Sequence, residues 1–321
     1  MNLCAIGTGA ITKSMLAEFN RSDVLHVTAI YSRKEETGRA MAQEFGIEKV
    51  YTDMTEMLAD PTIEMVYVAS PNSIHYSQTK AALLAGKHVI CEKPFAPTVA
   101  EVDELVALAE EKHLMLFEAI TTAHHPHYTF IKENLPQLGK LKIVTATFCQ
   151  FSSRYPALLA GKPSPVLNHA FAGGALMDIN LYNIHFVVGL FGAPKTVRYF
   201  PNRHESGVDT SGILVLEYED FLCQCIAAKD CAAQNGVQII GEDGHMVITP
   251  SASNCQTVEL NLRGKDAVKV HHPENPWYHE VQDLGRLAAA GDYGYCREAL
   301  KTTRNVVEEL EKARKFAGFP F

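Results

Sequence analysis

The apolar run Leu3-Cys4-Ala5-Ile6 passes straight into Gly7-Thr8-Gly9-Ala10-Ile11-Thr12, and that junction narrows the folds open to the chain. A strand that turns on glycine and starts a helix leaves free backbone N–H groups and a positive dipole end at one point. Gly7 permits the tight turn, and Gly9 lets the backbone approach a pyrophosphate. Gly-x-Gly alone is a common strand-to-helix turn; at the first junction of a strand–helix–strand unit it gains weight. Thr12 stands third, where glycine or alanine would let helix and strand pack more closely.

The rest of the unit follows. Short β-branched runs recur near 2–7, 25–31, 64–69, 87–91 and 114–117, with amphipathic helical patterns near 10–20, 35–45, 53–59, 73–85 and 98–112. That alternation predicts a doubly wound parallel sheet with helices on both faces. Gly46 and Gly86 stand where helices should stop, and Thr98 with Glu101 forms a capping-box signal. After about residue 120 the rhythm changes. A helix near 126–136 leads to a strand near 140–151, a Pro/Gly/Ser-rich loop at 156–166 and a helical run at 174–191. Strand-like segments then recur from 194 to about 270, with turns at Glu219-Asp220 and Gly241-Glu242-Asp243-Gly244. Helices near 277–290 and 297–317 close the chain. The expected architecture is α/β plus α+β: a dinucleotide-type domain over 1–120, then a domain over 121–321 on an open, mostly antiparallel sheet. The last helix is free to pack back on the first domain.

A length of 321 residues suits two such domains. The formal charge of −8 gives no basic footprint for phosphate backbones, which argues against a nucleic-acid partner. No apolar run of the ~18 residues of a membrane span is expected, and no leader pattern opens the chain, so a cytoplasmic location is the expectation. The eight cysteines are scattered among apolar neighbours and read as reduced, mostly buried thiols. Cys223 and Cys225 alternate along one strand and should share a face.

An acidic residue that binds the ribose hydroxyls is expected about 20 residues after the glycine turn. Here the sequence reads Ile30-Tyr31-Ser32-Arg33-Lys34, with no carboxylate. Ser32 can donate to a 2′-phosphate, and Arg33 can pair with it or stack on adenine. NADP is therefore favoured, with NAD the alternative.

Two further segments bring a resemblance. Ser70-Pro71-Asn72-Ser73-Ile74-His75 follows the run at 64–69, and Cys91-Glu92-Lys93-Pro94-Phe95 follows the run at 87–91. With the glycine turn and Gly173-Gly174-Ala175-Leu176-Met177-Asp178-Ile179-Asn180-Leu181-Tyr182, they resemble the glucose–fructose oxidoreductase/inositol dehydrogenase (Gfo/Idh/MocA) family over essentially the whole chain. The tyrosine form of the last motif is similar to the branch with dimeric dihydrodiol dehydrogenase and NADP-dependent xylose dehydrogenase. The resemblance implies a Rossmann first domain, with cofactor contacts from Gly7, Thr8, Gly9, Ala10, Ile11, Ser32, Arg33, Ser70, Pro71, Asn72, His75, Glu92 and Lys93. It implies that Lys93 meets the nicotinamide ribose or the substrate oxygen, and a cis Lys93–Pro94 bond. It also implies a homodimer or homotetramer.

The chemistry suits these residues. Ligands of an open parallel sheet bind beyond the carboxyl ends of its strands, where the Gly7 turn, the Ser70 loop and Lys93 emerge. A lysine in a partly desolvated cleft beside a cationic nicotinamide would lose proton affinity. Hydride transfer to a carbonyl needs a proton donor at the developing alkoxide, and Tyr182 can serve if Lys93 stabilises its phenolate. Asp178, four residues earlier on one helix face, would orient substrate hydroxyls or hold Lys93.

The substrate side departs from the family pattern at Asn180, at Thr121–Tyr128, and at Asn168-His169 or Phe171. A polyhydroxylated small molecule (a sugar, sugar derivative or diol) fits better than one named compound. Tyr155, His169 and Asn180 are candidate substrate contacts. His124, His125 and His127, with His271-His272, invite a metal reading, but adjacent histidines diverge and no metal site is expected. The rival is a non-catalytic nucleotide or sugar sensor on the same scaffold, which would need neither Lys93 nor Tyr182. A hydrolase or isomerase that cycles its dinucleotide is a third reading.

Overall fold

The structure, a computed structural model, describes residues 1–319. The described chain divides into two compact units, Met1–Ala119 with Trp277–Arg304, and Ile120–Pro276 with the stretch from Asn305 onward.

In the first unit the strands are β1 (Asn2–Ile6), β2 (His26–Tyr31), β3 (Lys49–Tyr51), β4 (Met65–Val68), β5 (His88–Glu92) and β6 (Leu116–Ala119). All pair in parallel, in the order β3-β2-β1-β4-β5-β6. This is the dinucleotide-fold order, with its topological switch between β1 and β4. The central strands are buried along their length because helices cover both faces: β4 reads Met-Val-Tyr-Val with every residue inside. The linking helices are α1 (Ala10–Phe19), α2 (Glu35–Phe45), α3 (Met54–Ala59), α4 (His75–Leu84) and α5 (Val99–Glu111). Thr98 and Glu101 make the reciprocal capping box at the start of α5, worth about 1 kcal/mol.

The second unit carries β7 (Leu141–Cys149), β8 (Thr196–Arg203), β9 (Asp209–Glu217), β10 (Leu222–Ala228), β11 (Gly236–Gly241), β12 (Gly244–Ser251), β13 (Asn254–Leu262) and β14 (Val268–His271). They form one sheet ordered β14-β13-β12-β11-β7-β10-β9-β8. Every pair is antiparallel except β7 with β10, which run parallel with Leu222 opposite Ile143. Helices α6 (Thr121–His124), α7 (Pro126–Asn134), α8 (Tyr155–Leu159) and α9 (Leu181–Phe191) belong here. A π-helical turn, Leu176–Asn180, runs directly into α9. Leu176, Ile184, Phe186 and Val187 pack on one sheet face with Val144, Leu214, Leu216, Cys223, Cys225 and Ile239. The thiols of Cys223 and Cys225 lie side by side in this core.

Helix α10 (Pro276–Ala290) places Val281, Leu284 and Leu287 in the core of the first unit with Leu3, Ile30 and Ile90. Helix α11 (Tyr293–Phe316) is continuous; its residues to Arg304 count with the first unit and those from Asn305 with the second. One helical run, His169–Phe191, is long and apolar enough on average to match a membrane span, where the sequence led to the expectation of no apolar run of that length. Within its most apolar stretch 72% is buried inside the structure, as for a core helix.

Candidate active site

In the first unit the glycine turn meets its strand neighbours without slack. Gly7 has φ +115°, and a Cβ there would stand 2.4 Å from the Ala69 carbonyl oxygen. A Cβ at Gly9 would meet nothing within 4 Å. Gly9 caps α1 without a side-chain hydrogen bond, and the first turn of α1 carries no acidic residue. The helix start therefore offers unshielded N–H donors to an anion.

A cleft of about 760 Å³ opens over this turn, lined among others by Gly7, Thr8, Gly9, Ser32, Arg33, Ser70 and Pro71. Tyr31, Lys34, Thr37, Ile74 and Gln78 line it too, and none of them was singled out by the sequence motifs. Two buried polar atoms of the lining, Ser70 Oγ and Gln78 Oε1, have no hydrogen-bond partner among the described residues, nor does Thr12 Oγ1 in α1. Unpartnered buried oxygens beside an open glycine cradle fit a polar ligand such as a dinucleotide.

Ser32 Oγ lies 2.9 Å from the Lys34 carbonyl and 2.8 Å from Thr37 Oγ1, so the β2–α2 turn itself engages it. Arg33, Lys34 and Thr37 are exposed at the cleft mouth. Ala10 and Ile11 form the first turn of α1, and Asn72 opens a short 3-10 turn before α4. His75 is buried, its ring nitrogens 2.9 Å from the Pro94 oxygen and 2.8 Å from the Ser70 oxygen, tying the two loops together. Burial lowers its pKa despite these acceptors, and the Lys93 charge adds to the effect.

Lys93 is half-buried just past β5, and its bond to Pro94 is cis. Beside it lies a group of carboxylates that no motif indicated. Glu92 accepts a hydrogen bond from the Tyr67 hydroxyl at 2.6 Å, and Glu118 accepts one from the Thr303 hydroxyl at 2.7 Å. Glu280 of α10 is 1% exposed, and its Oε1 has no partner among the described residues. Burial pushes Glu92 up to about 7, against the opposing pull of Tyr67 and Lys93. Burial also raises Glu280 well above the ordinary carboxylate range, and the charges of Glu92 and Glu118 raise it further. Lys93 thus sits near two acids, Glu92 and Glu280, that hold their protons unusually late.

This has a consequence for stability. Groups whose folded pKa is raised contribute stability below their unfolded value of about 4.3, and that contribution is lost as pH rises through the folded value. The Glu280→Gln protein is therefore expected to lose less thermal stability than the parent between about pH 5 and pH 8. At pH 8 it should melt about 2–4 °C higher. Parallel melting curves across that range, by calorimetry, would show that Glu280 carries no such cost.

In the second unit the double glycine has a steric cause. A Cβ on Gly173 would lie 2.5 Å from the Pro165 oxygen, and Gly174, at φ +125°, faces the carboxylate of Asp209. Asp209 is fully buried and accepts the Leu176 N–H and the Tyr199 hydroxyl, both at 2.7 Å. It pins the start of the helical run that carries Asp178 and Tyr182.

Asp178 is ion-paired with Lys229 inside the second unit, a partner the sequence motifs did not reveal. Tyr182 is half-buried, its ring centroid 6.0 Å from that of Phe148. Asn180 is fully buried. Its amide nitrogen lies 3.4 Å from the Cys225 oxygen and its carbonyl accepts from Asn183 at 2.9 Å. Tyr155 is half-buried against Phe151 and the small Leu158–Leu167–Val208 cluster. His169 is half-buried with its ring near Phe319. The rings of His125, His127 and His272 do gather, with centroids 4.6–6.1 Å apart. Among the described residues, however, no three His, Cys, Asp or Glu side chains are arranged to hold a metal.

Comparison with known proteins accounts for these features together. Residues 1–120 match the family model described as an oxidoreductase family with an NAD-binding Rossmann fold, and residues 136–247 match the GFO/IDH/MocA C-terminal domain. The chain is 38% identical to YgjR of Escherichia coli K12, an uncharacterized oxidoreductase, across 100% of this chain and 98% of that one. The chain belongs to the Gfo/Idh/MocA oxidoreductase family. This Gfo/Idh/MocA protein is also 31% identical to IolU of Bacillus subtilis, a scyllo-inositol 2-dehydrogenase (NADP(+)), over 98% of the chain and 97% of IolU. Among solved structures it is similar to the 3-ketoreductase KijD10 from Actinomadura kijaniata with NADP and TDP-benzene. The TM-score is 0.85 at 21% identity, covering 98% of this chain and 97% of that one, a likeness of fold.

Proposed function

We propose that this oxidoreductase transfers a hydride between NADP and a carbinol or carbonyl carbon of a sugar, sugar derivative or diol, with Tyr182 and Lys93 as the proton donor–acceptor pair. The observation that carries the reading is Lys93: a half-buried ammonium at the carboxyl end of a strand, in the same unit as an uncapped helix start and a dinucleotide-sized cleft. The kinship with IolU, whose name specifies NADP and a polyol, supports the cofactor and substrate class.

When bound, the nicotinamide supplies the hydride acceptor or donor. The chain's own residues do the rest. Gly7, Thr8, Gly9 and the start of α1 hold the pyrophosphate, and Ser70, Pro71, Asn72 and His75 shape the next stretch of the cleft. Arg33 and Lys34 meet the 2′-phosphate as charged donors; Ser32, engaged in its turn, orders that loop. Lys93 stabilises negative charge on the Tyr182 oxygen, and Tyr182 gives its proton to the alkoxide in reduction or takes it from the carbinol in oxidation. Tyr155 and His169 are the candidate substrate contacts.

The test is turnover. Protein mixed with NADP and a panel that includes scyllo-inositol, aldoses and diols should produce reduced nicotinamide absorbance. NADP should exceed NAD in kcat/KM by about tenfold or more, a ratio that collapses in Arg33→Ala. Tight NADP binding with no turnover on the panel in either direction would favour the sensor reading. Product formation without net reduced cofactor would favour redox cycling.

A homodimer or homotetramer is the companion proposal. Ile143 lies opposite Leu222, and Phe200 opposite Ile213; all four are at least 41% exposed on the outer sheet face of the second unit. Exposed apolar pairs on one sheet face are best covered by a second copy. Sedimentation at the monomer mass of 35.4 kDa would overturn it.

A further inference from the structure

A lysine with 8% of its side chain exposed is rare, and such a charge must be compensated. Lys229 follows β10 and is fixed at its backbone on both sides: its N–H donates to the Thr210 oxygen at 2.7 Å, and its carbonyl accepts the Ser152 N–H at 2.9 Å. Its Nζ pairs with Asp178. Asp178 lies in the π-helical turn, one turn before Tyr182, where a wider helical cross-section redirects side chains.

The other charged groups near this turn have partners of their own. Asp209, from β9, binds the Leu176 N–H and Tyr199. Asp230, next to Lys229, accepts from Ser211 at 3.1 Å, and Arg314 of α11 contacts the Met177 sulfur at 2.9 Å. Lys229 is a cation that meets Asp178.

We propose that Lys229 is a positioning residue for Tyr182: it holds Asp178 in one orientation and offsets its charge, so that the carboxylate does not oppose formation of the phenolate. A carboxylate one helical turn from a phenol disfavours its ionisation, and an ammonium paired to that carboxylate cancels most of the effect. The proposal rests on the reading of Tyr182 as the acid–base group, and its direct readout is independent of that reading.

The experiment is an NMR pH titration of the full-length protein, labelled with 13C at the tyrosine Cζ, with the Tyr182 signal assigned by its loss in Tyr182→Phe. In Lys229→Met the midpoint of that signal should rise by about one pH unit; Lys229→Arg should bring it back. Asp178→Asn should lower it, and the Asp178→Asn/Lys229→Met double variant, which removes both charges of the pair, should return near the parent. That pair keeps the question answerable if Lys229→Met alone fails to fold. A Tyr182 midpoint unmoved in these variants, whatever happens to melting temperature, overturns the role of Lys229. Shifted midpoints together with a Tyr182→Phe protein that still turns over would leave Lys229 coupled to Tyr182 and instead overturn the acid–base reading.

Discussion

Lys93→Met should lower kcat by about 10³-fold while the dissociation constant for NADP changes by less than about tenfold. Methionine keeps the length and apolar stem of the lysine and removes only its charge. The loss should not unfold the protein, because burial already pushes the neighbouring Glu92 and Glu280 towards their neutral forms. Glu92, pushed up to about 7 by burial, and Glu280, raised well above the ordinary carboxylate range by burial, would hold their protons to higher pH once the ammonium is gone. Circular dichroism and a melting temperature within a few degrees of the parent would establish this. Lys93→Arg should not rescue turnover, since a planar, strongly basic guanidinium cannot reproduce a compact ammonium. The sharper measurement is a double-mutant cycle with Tyr182→Phe. If the two act as one proton-handling unit, the second substitution costs little once the first is made. Losses that multiply independently would separate Lys93 from Tyr182 and remove the proposed pair.

What the sequence made legible was local. The Gly7–Gly9 turn, the capping box at Thr98 and the hairpin turn at Glu219-Asp220 each depend on residues within a few positions, and each appears in the structure. Elements that contradict local signals were hidden. Tyr155–Leu159 forms a short helix inside a segment that Pro156 and its neighbours mark as loop, because proline is tolerated in a first helical turn. Strand β3 spans only Lys49–Tyr51, too short for a period to register. The parallel pairing of β7 with β10 could not be read either, since β8 and β9 come between them in the chain and the turns say nothing of that register.

The candidate site divides along the same line. Residues of the glycine turn and of the Glu-Lys-Pro and double-glycine segments could be singled out because they sit in compact motifs. Glu118, Glu280 and Thr303 come from three distant stretches and meet only when α10 and α11 return to the first sheet. Lys229 stands 51 residues from Asp178, and nothing around Lys229-Asp230 marks it as more than a charged strand end. Asn180 stands in a compact motif too, but the partners of its amide, the backbone of β10 and the side chain of Asn183, come from outside that motif's own signal.

Two glycines of these motifs should fail in opposite ways when each becomes alanine. Gly174→Ala should destabilise the protein by about 3–5 kcal/mol, seen as a melting temperature lower by at least about 8 °C or as insoluble protein. The new Cβ would collide with Asp209 Oδ1, and the backbone already holds φ +125°, which a Cβ resists. Relief requires Asp209 to move, which breaks its bonds to the Leu176 N–H and the Tyr199 hydroxyl and leaves a carboxylate buried without its donors. Gly9→Ala, by contrast, should fold and melt like the parent, because its backbone is at φ −82° and its Cβ would meet nothing within 4 Å. The space that Cβ would take is where a pyrophosphate must approach the start of α1, so NADP affinity should fall by about tenfold or more. A Gly9→Ala protein that binds NADP as tightly as the parent would mean that the dinucleotide does not use this turn. A Gly174→Ala protein of unchanged stability would mean that the Asp209 carboxylate is not what fixes the helix bearing Tyr182.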